Sequence, residues 1–111
     1  MNDIDKVLNL KRWENLRAFI LARDCYLDQE LKRYGRRVEA TMVHHIFPRE
    51  FFPQYIYEPW NLISLSQESH NKLHDRTGHK LTEAGWNLLL RTARKNGIEI
   101  DEGLKEAIVG R

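Results

Sequence analysis

All three prolines of this 111-residue chain fall in the stretch FPREFFPQYIYEPW, residues 47–60, together with six aromatic side chains. Proline lacks a backbone N–H and fixes φ, so neither a helix interior nor a central strand runs through such a segment. Six aromatics also make it too apolar for a free linker. It is expected to form a long, ordered loop packed by its own side chains. The rest of the fold has to be arranged around the two ends of that loop.

The residues leading into the loop alternate. Val38, Ala40 and Met42 are separated by Glu39 and Thr41, a strand pattern that continues into His44, His45 and Ile46 until Pro48 ends it. NLISL, residues 61–65, reads as a short second strand. Ser66 then offers an N-cap and Glu68 sits in the first turn of a helix running to about Arg76, with Gly78 beyond it. Upstream, residues 10–24 read as a helix with Trp13, Leu16, Phe19 and Ile20 on one stripe and Asn9 as N-cap. Residues 26–35 read as a short second helix. There Leu27, Leu31 and Tyr34 share a face, Asp28 and Lys32 are spaced as an i,i+4 pair, and Gly35 is the C′ stop. A further helix spans roughly 82–96, with Trp86, Leu89, Leu90 and Ala93 on its apolar face and Gly97 closing it. The tail, 98–111, has no definite pattern. The expected class is α+β, in a single domain over 1–111.

The composition, 41% apolar and 31% charged, is that of a soluble globular protein. No apolar run approaches the roughly 20 residues of a membrane span, and the N-terminus lacks the apolar core of a signal peptide. A cytoplasmic protein with no membrane partner is the expectation. The lone Cys25 excludes an internal disulfide framework and a cysteine-based zinc site. Net charge is +2 and the pI about 8.8. The basic clusters KRYGRR (32–37) and RTARK (91–95) suit phosphate backbones, and equally suit solvated surface and helix C-termini.

Four of the five histidines come in two tight pairs, His44 with His45 and His70 with His74. On a helix, His70 and His74 stand one turn apart, about 5–6 Å between Cβ atoms, and can share a metal ion. Such pairs also occur as plain surface residues. His44, ending a strand on the face of Ala40 and Met42, could complete a three-histidine site. Three protein ligands with open positions are the catalytic pattern, whereas structural zinc is normally closed by four. A strict strand would send His45 to the face opposite His44. If the strand twists or ends near Pro48 it could approach the metal, where a neutral imidazole can take a proton from water, and otherwise it is a surface or loop histidine. Asn61 is a candidate to orient its ring, or a turn residue after Pro59.

The constellation VHHIFP, WNLISL and SHNKLH, in that order and spacing, resembles the HNH endonuclease family. The upstream WENLRAFILARD looks like the helix that precedes the site in small phage-type members, so the resemblance covers roughly residues 13–96. It implies the ββα-metal (His-Me finger) core, here about 38–77, with flanking N- and C-terminal helices. By the same resemblance His45 is the general base. His44, His70 and His74 hold one divalent metal in the manner of the nuclease colicins, and Asn61 positions the base. Zinc, nickel, magnesium or manganese would be the ion. Many small members carry two C-x-x-C pairs for a second, structural zinc. The matching positions here are Asp28, Leu31, Ser66 and Ser69, so no structural zinc is expected and Leu31 should pack the short helix instead.

The implied activity is metal-dependent hydrolysis of DNA phosphodiester bonds, with Arg49 either adding positive charge near the phosphate or standing as a surface arginine. A terminase or other packaging protein is a partner by analogy only. Two other classes compete. A non-catalytic, metal-stabilised DNA-binding module would use His44, His70 and His74 but leave His45 and Asn61 without a task. An interaction protein docking through its aromatic loop would leave both histidine pairs to chance.

Overall fold

The computed structural model of the protein describes residues 3–110. The elements in chain order are α1 (Asp3–Arg23), α2 (Gln29–Lys32), β1 (Met42–His45), β2 (Leu62–Leu65), α3 (Gln67–Leu73), α4 (Glu83–Lys95) and α5 (Lys105–Ile108). Short 3-10 turns lie at Pro53–Tyr55, Pro59–Asn61 and Glu102–Leu104. β1 and β2 pair antiparallel, Met42 opposite Leu65 through to His45 opposite Leu62. The expected order of elements is therefore present, an α+β fold with helices flanking a two-stranded sheet.

The first strand is shorter than its alternation suggests. Glu39 makes only an isolated bridge to Leu27, and the Ala40 N–H donates to the Tyr26 carbonyl. Residues 38–40 thus line up with the chain leaving α1, not with β2, although their side chains still alternate.

The loop between the strands packs on itself. Phe47, fully buried, meets Phe52, Tyr55 and Trp60 edge to face, with ring centroids 5.0, 5.5 and 5.5 Å away. Each such pair contributes about 0.5–1.5 kcal/mol beyond the area it buries. This aromatic knot joins the core made by Ile63, Leu65, Leu73, Leu81, Trp86, Leu88, Leu89, Ala93 and Ile108. α4 supplies four of those residues and is capped by Thr82, whose hydroxyl accepts from the Gly85 N–H. Gly85 also lies against the Leu73 carbonyl, where no Cβ would fit, so glycine lets α4 approach the end of α3 closely. The tail acquires structure by covering this core. Ile108 is buried and its carbonyl accepts from Leu81 N–H.

α1 begins at Asp3, so Asn9 lies inside the helix and does not cap it. Ile20 is fully buried and Trp13 and Leu16 are half-buried, but Phe19 is 58% exposed. The helix touches the sheet along a narrow line through 13, 16, 20 and 24, and Phe19 falls to one side of it. In α2, Leu31 is buried as expected while Tyr34 is exposed. Gly35 takes the positive φ of its stop.

Asp28 is not the partner of Lys32. It is fully buried and caps α2 from within. Leu31 N–H donates to Oδ1 at 2.8 Å, and the Ser66 N–H and hydroxyl donate to Oδ2 at 2.8 and 2.6 Å. Burial by itself would raise the pKa of this carboxyl. Hydrogen bonds from Leu31, Ser66 and Ser69 outweigh it, and the net shift is downward from the ordinary 3.8. A carboxyl whose pKa is lowered by folding stabilises the fold above its unfolded value and loses that contribution as pH falls through the folded value. Asp28→Asn turns an acceptor into an amide facing donors and should destabilise the protein by about 2–3 kcal/mol at neutral pH. In denaturant melts, the gap between parent and variant should shrink below pH 3.8. A gap that is independent of pH would exclude the carboxylate as the stabilising species.

Candidate active site

α3 stops earlier than its sequence pattern predicts. The helix ends at Leu73, and His74 is its C-cap, with extended φ −114° and ψ 150°. The cause lies just downstream. Asp75 Oδ1 accepts from the Thr77 N–H, the Thr77 hydroxyl and the Gly78 N–H, and Gly78 takes φ +73°. This turn reverses the chain, so that His74 bridges to Leu81 and Thr82 N–H donates to the Leu73 carbonyl. The His74 N–H still donates to the His70 carbonyl at 3.0 Å, so the two histidines keep their one-turn spacing on one face although the regular helix ends between them.

The three histidines assigned to a metal come together. His44 is buried on β1, and its Nδ1 stands 2.9 Å from His74 Nε2. Ring centroids of His44 and His74 are 4.6 Å apart, those of His70 and His74 4.5 Å, and those of His44 and His70 6.2 Å. Three of their nitrogens, His44 Nε2, His70 Nδ1 and His74 Nδ1, are buried without a hydrogen-bond partner. The Lys80 carbonyl does lie near enough to His74 to favour its protonated form, but not in bonding geometry.

Burial, reinforced by the neighbouring His74, His70 and His45, holds His44 well below the usual imidazole range. Burial and then His70 lower His74, against the opposing effects of Asp75 and Lys80. Imidazoles with unused nitrogens are a donor set that fits a divalent cation, zinc, nickel or copper best by softness. The positions are not those of a finished site. Among the described residues no three His, Cys, Asp or Glu side chains converge as ligands, because His70 stacks on His74 and the His44–His74 nitrogens share a hydrogen bond. Tetrahedral zinc with bonds of about 2.0–2.1 Å needs ligand nitrogens roughly 3.3 Å apart, a few tenths more than here.

His45 lies on the rim of the same cleft, a cavity of about 310 Å³ lined by His44, His45, Arg49, Glu50, His70, His74 and His79. It is half-buried and held from two sides. Its Nε2 is 3.0 Å from the Ile56 carbonyl, which can only accept, so Nε2 carries the proton and Nδ1 is the free lone pair. The Trp13 indole stacks on its ring, centroids 5.0 Å apart and planes 17° from parallel. Burial lowers its pKa; the Ile56 carbonyl opposes this and the Arg49 charge adds to it. Arg49 is thus on the cleft and near His45, exposed to solvent.

Asn61 lies at the end of the loop between the strands. It ends the Pro59–Asn61 turn, fully buried, and none of its described hydrogen bonds reaches His45. Phe47 N–H donates to its Oδ1 at 2.7 Å, and its Nδ2 donates to the Tyr55 carbonyl at 3.1 Å and the Phe47 carbonyl at 3.4 Å. It closes the loop on itself, and Tyr55 is the residue before Ile56. Its effect on His45 is therefore indirect, through the placing of the Ile56 carbonyl. Neither that carbonyl nor Trp13 was anticipated as a neighbour of His45. A backbone acceptor leaves no mark in a sequence, and Trp13 carries the pattern of an ordinary packing residue.

No protein-family model matches the chain, and no curated protein matches it. Among solved structures it is similar to the HNH endonuclease of the deep-sea thermophilic bacteriophage GVE2, crystallised with manganese ion. The two are 35% identical over 54% of this chain and 65% of that one, with a TM-score of 0.53. The fold is the ββα core of HNH endonucleases, with flanking helices. The match takes in slightly less than two thirds of the phage enzyme. Among the described residues, no helix is long and apolar enough to cross a membrane.

Two outcomes follow from this geometry. Calorimetric titration with zinc should give one site per chain, weakened or lost in His44→Ala and in His74→Ala; unchanged affinity in either would remove that residue from the ligand set. Asn61→Ala should lower thermal stability by about 1–3 kcal/mol, since it strands the buried Phe47 N–H. It should also slow any His45-dependent reaction. An Asn61→Ala protein as stable as the parent would contradict the loop-closing role.

Proposed function

We propose that the protein is a metal-dependent endonuclease of the HNH type that hydrolyses phosphodiester bonds of DNA, with His45 as general base. The observation that carries this reading is the His45 ring. It is fixed with its lone-pair nitrogen free, on the rim of a cleft that also gathers His44, His70 and His74. A non-cleaving DNA-binding module has no use for an imidazole held in that way. The likeness to a phage HNH endonuclease supports the same class. A terminase partner finds no such support and is left out of the proposal.

His45 Nδ1 takes a proton from a water molecule as the water oxygen attacks phosphorus in line with the P–O3′ bond. That bond breaks, and the 3′ oxygen leaves and is protonated from solvent. The Ile56 carbonyl keeps the proton on Nε2, and the resulting imidazolium, bonded to that carbonyl, returns its extra proton to water. Arg49 sets positive charge on the cleft wall, where a phosphate oxygen would lie. A divalent cation held by His44, His70 and His74 would supply charge stabilisation to the phosphate and the leaving oxygen. Asn61 maintains the loop that carries the Ile56 carbonyl.

The test is the contrast between neighbours. His45→Ala should retain zinc binding and DNA binding but cut plasmid DNA about 10²–10⁴-fold more slowly, the usual contribution of a general base. His44→Ala should lose both metal affinity and cleavage, and a chelator should abolish cleavage by the parent. Cleavage by His45→Ala at the parent rate would defeat the assignment.

A further inference from the structure

The assignment of His45 leaves one geometric question open. A single hydrogen bond from Nε2 to the Ile56 carbonyl fixes where that nitrogen points, but not the rotation of the ring about the bond. Nδ1, the atom that must face the attacking water, is off that axis. The ring plane has to be set by something else.

Trp13 stands where such a constraint is required. Its indole lies nearly parallel to the imidazole, 17° from coplanar at 5.0 Å between centroids. One residue earlier, the Arg12 guanidinium sits over the Tyr57 ring, 3.7 Å from its centroid. Tyr57 follows Ile56, whose carbonyl is the acceptor for His45. Two consecutive residues of α1 therefore touch the base and the segment that carries its acceptor. α1 is docked by other contacts as well. Arg17 donates to the Thr41 carbonyl, Ile20 is fully buried, and the Ser64 N–H donates to Asp24. The Trp13 stack is not what keeps the helix in place.

We propose that Trp13 is a positioning residue for His45, fixing its ring plane by stacking so that Nδ1 faces the cleft, while Arg12 steadies the Ile56–Tyr57 segment. This rests on the reading of His45 as general base. It makes the N-terminal helix, which lies outside the ββα core, a working part of the site.

The full-length chain tests this in two ways. In NMR spectra recorded without metal, the His45 ring protons should show the upfield ring-current displacement of a stacked imidazole. Trp13→Leu should abolish that displacement and Trp13→Phe should largely keep it. In plasmid cleavage with manganese, Trp13→Leu should lower kcat roughly 10–100-fold, the scale of a misplaced catalytic group, with KM, zinc affinity and melting temperature near the parent's. Trp13→Phe should recover most of the rate. If Trp13→Leu melts too low for assay, Trp13→Met replaces it, keeping apolar reach without a ring. An unchanged kcat with raised KM would show that Trp13 binds DNA and overturn the proposal. So would an unshifted His45 spectrum in the parent. Parent-like cleavage by His45→Ala would instead remove the general-base reading, and with it the catalytic meaning of the stack, while leaving the NMR result intact.

Discussion

The arrangement depends on a buried carboxylate. Asp28 receives the N-terminus of α2 on one oxygen and the junction of β2 with α3 on the other. Four residues earlier, Asp24 accepts from the Ser64 N–H, tying the end of α1 to the outer side of β2. Together these fasten the helical preamble to the strand and helix that carry the site. A buried anion is tolerated only when its lone pairs are filled, and here backbone N–H groups and hydroxyls fill them. Asp28, Leu31, Ser66 and Ser69 lie together at this junction, all buried. In this chain they form one buried hydrogen-bonded cluster. The linkage between α2 and the head of α3 is made by a carboxylate and two serines, and the packing of Leu31 is only part of it.

The opposite condition holds at the histidines. A folded protein normally satisfies its buried polar atoms, and an orphaned one costs about 1–3 kcal/mol. Three imidazole nitrogens are left that way within one cluster. The core on their far side is well packed, and the Asp75 turn spends three hydrogen bonds on bringing His74 inward. A fold that stabilises itself elsewhere and leaves this cluster unsatisfied has the form expected when local stability is traded for a binding function.

What the sequence made legible follows from where each signal is local. The second strand, the proline-bounded loop, the Ser66 cap and the apolar face of α4 are set by short-range rules, and they appear where expected; the first strand is shortened because residues 38–40 pair with the chain leaving α1. The grouping of His44, His70 and His74 was also readable, because motif order fixes which elements meet. The errors have a common cause in tertiary competition. His74 reads as mid-helix, but the Asp75–Gly78 turn reverses the chain just after it, and the helix ends there with the His74 N–H on the His70 carbonyl. Phe19 reads as core, but a helix contacting a two-stranded sheet along one line leaves its flanks in water. Asn61 reads as a companion of His45, yet its carboxamide is consumed by Phe47 and Tyr55. The acceptor that does hold the His45 ring is a peptide carbonyl, to which residue identity gives no clue.

His44 and His45 show how little sequence distance matters to chemistry at a strand end. They are adjacent, carry the same side chain and face one cleft. His44 turns toward His74 and His70, where burial and its neighbours hold its pKa well below the usual imidazole range. His45 is the last residue of β1, just before the backbone leaves the ladder for the loop. Freed from strict alternation, its ring meets groups supplied by two other parts of the chain, the Ile56 carbonyl of the loop and the indole of α1. One histidine is thus defined by the ββα core and the other by what is wrapped around it. Changes in the flanking helix would be felt at His45 before they were felt at the cluster of His44, His70 and His74. Substitutions in the 47–60 loop would do the same through Asn61 and Ile56. The division of labour between the two neighbours is set by their surroundings.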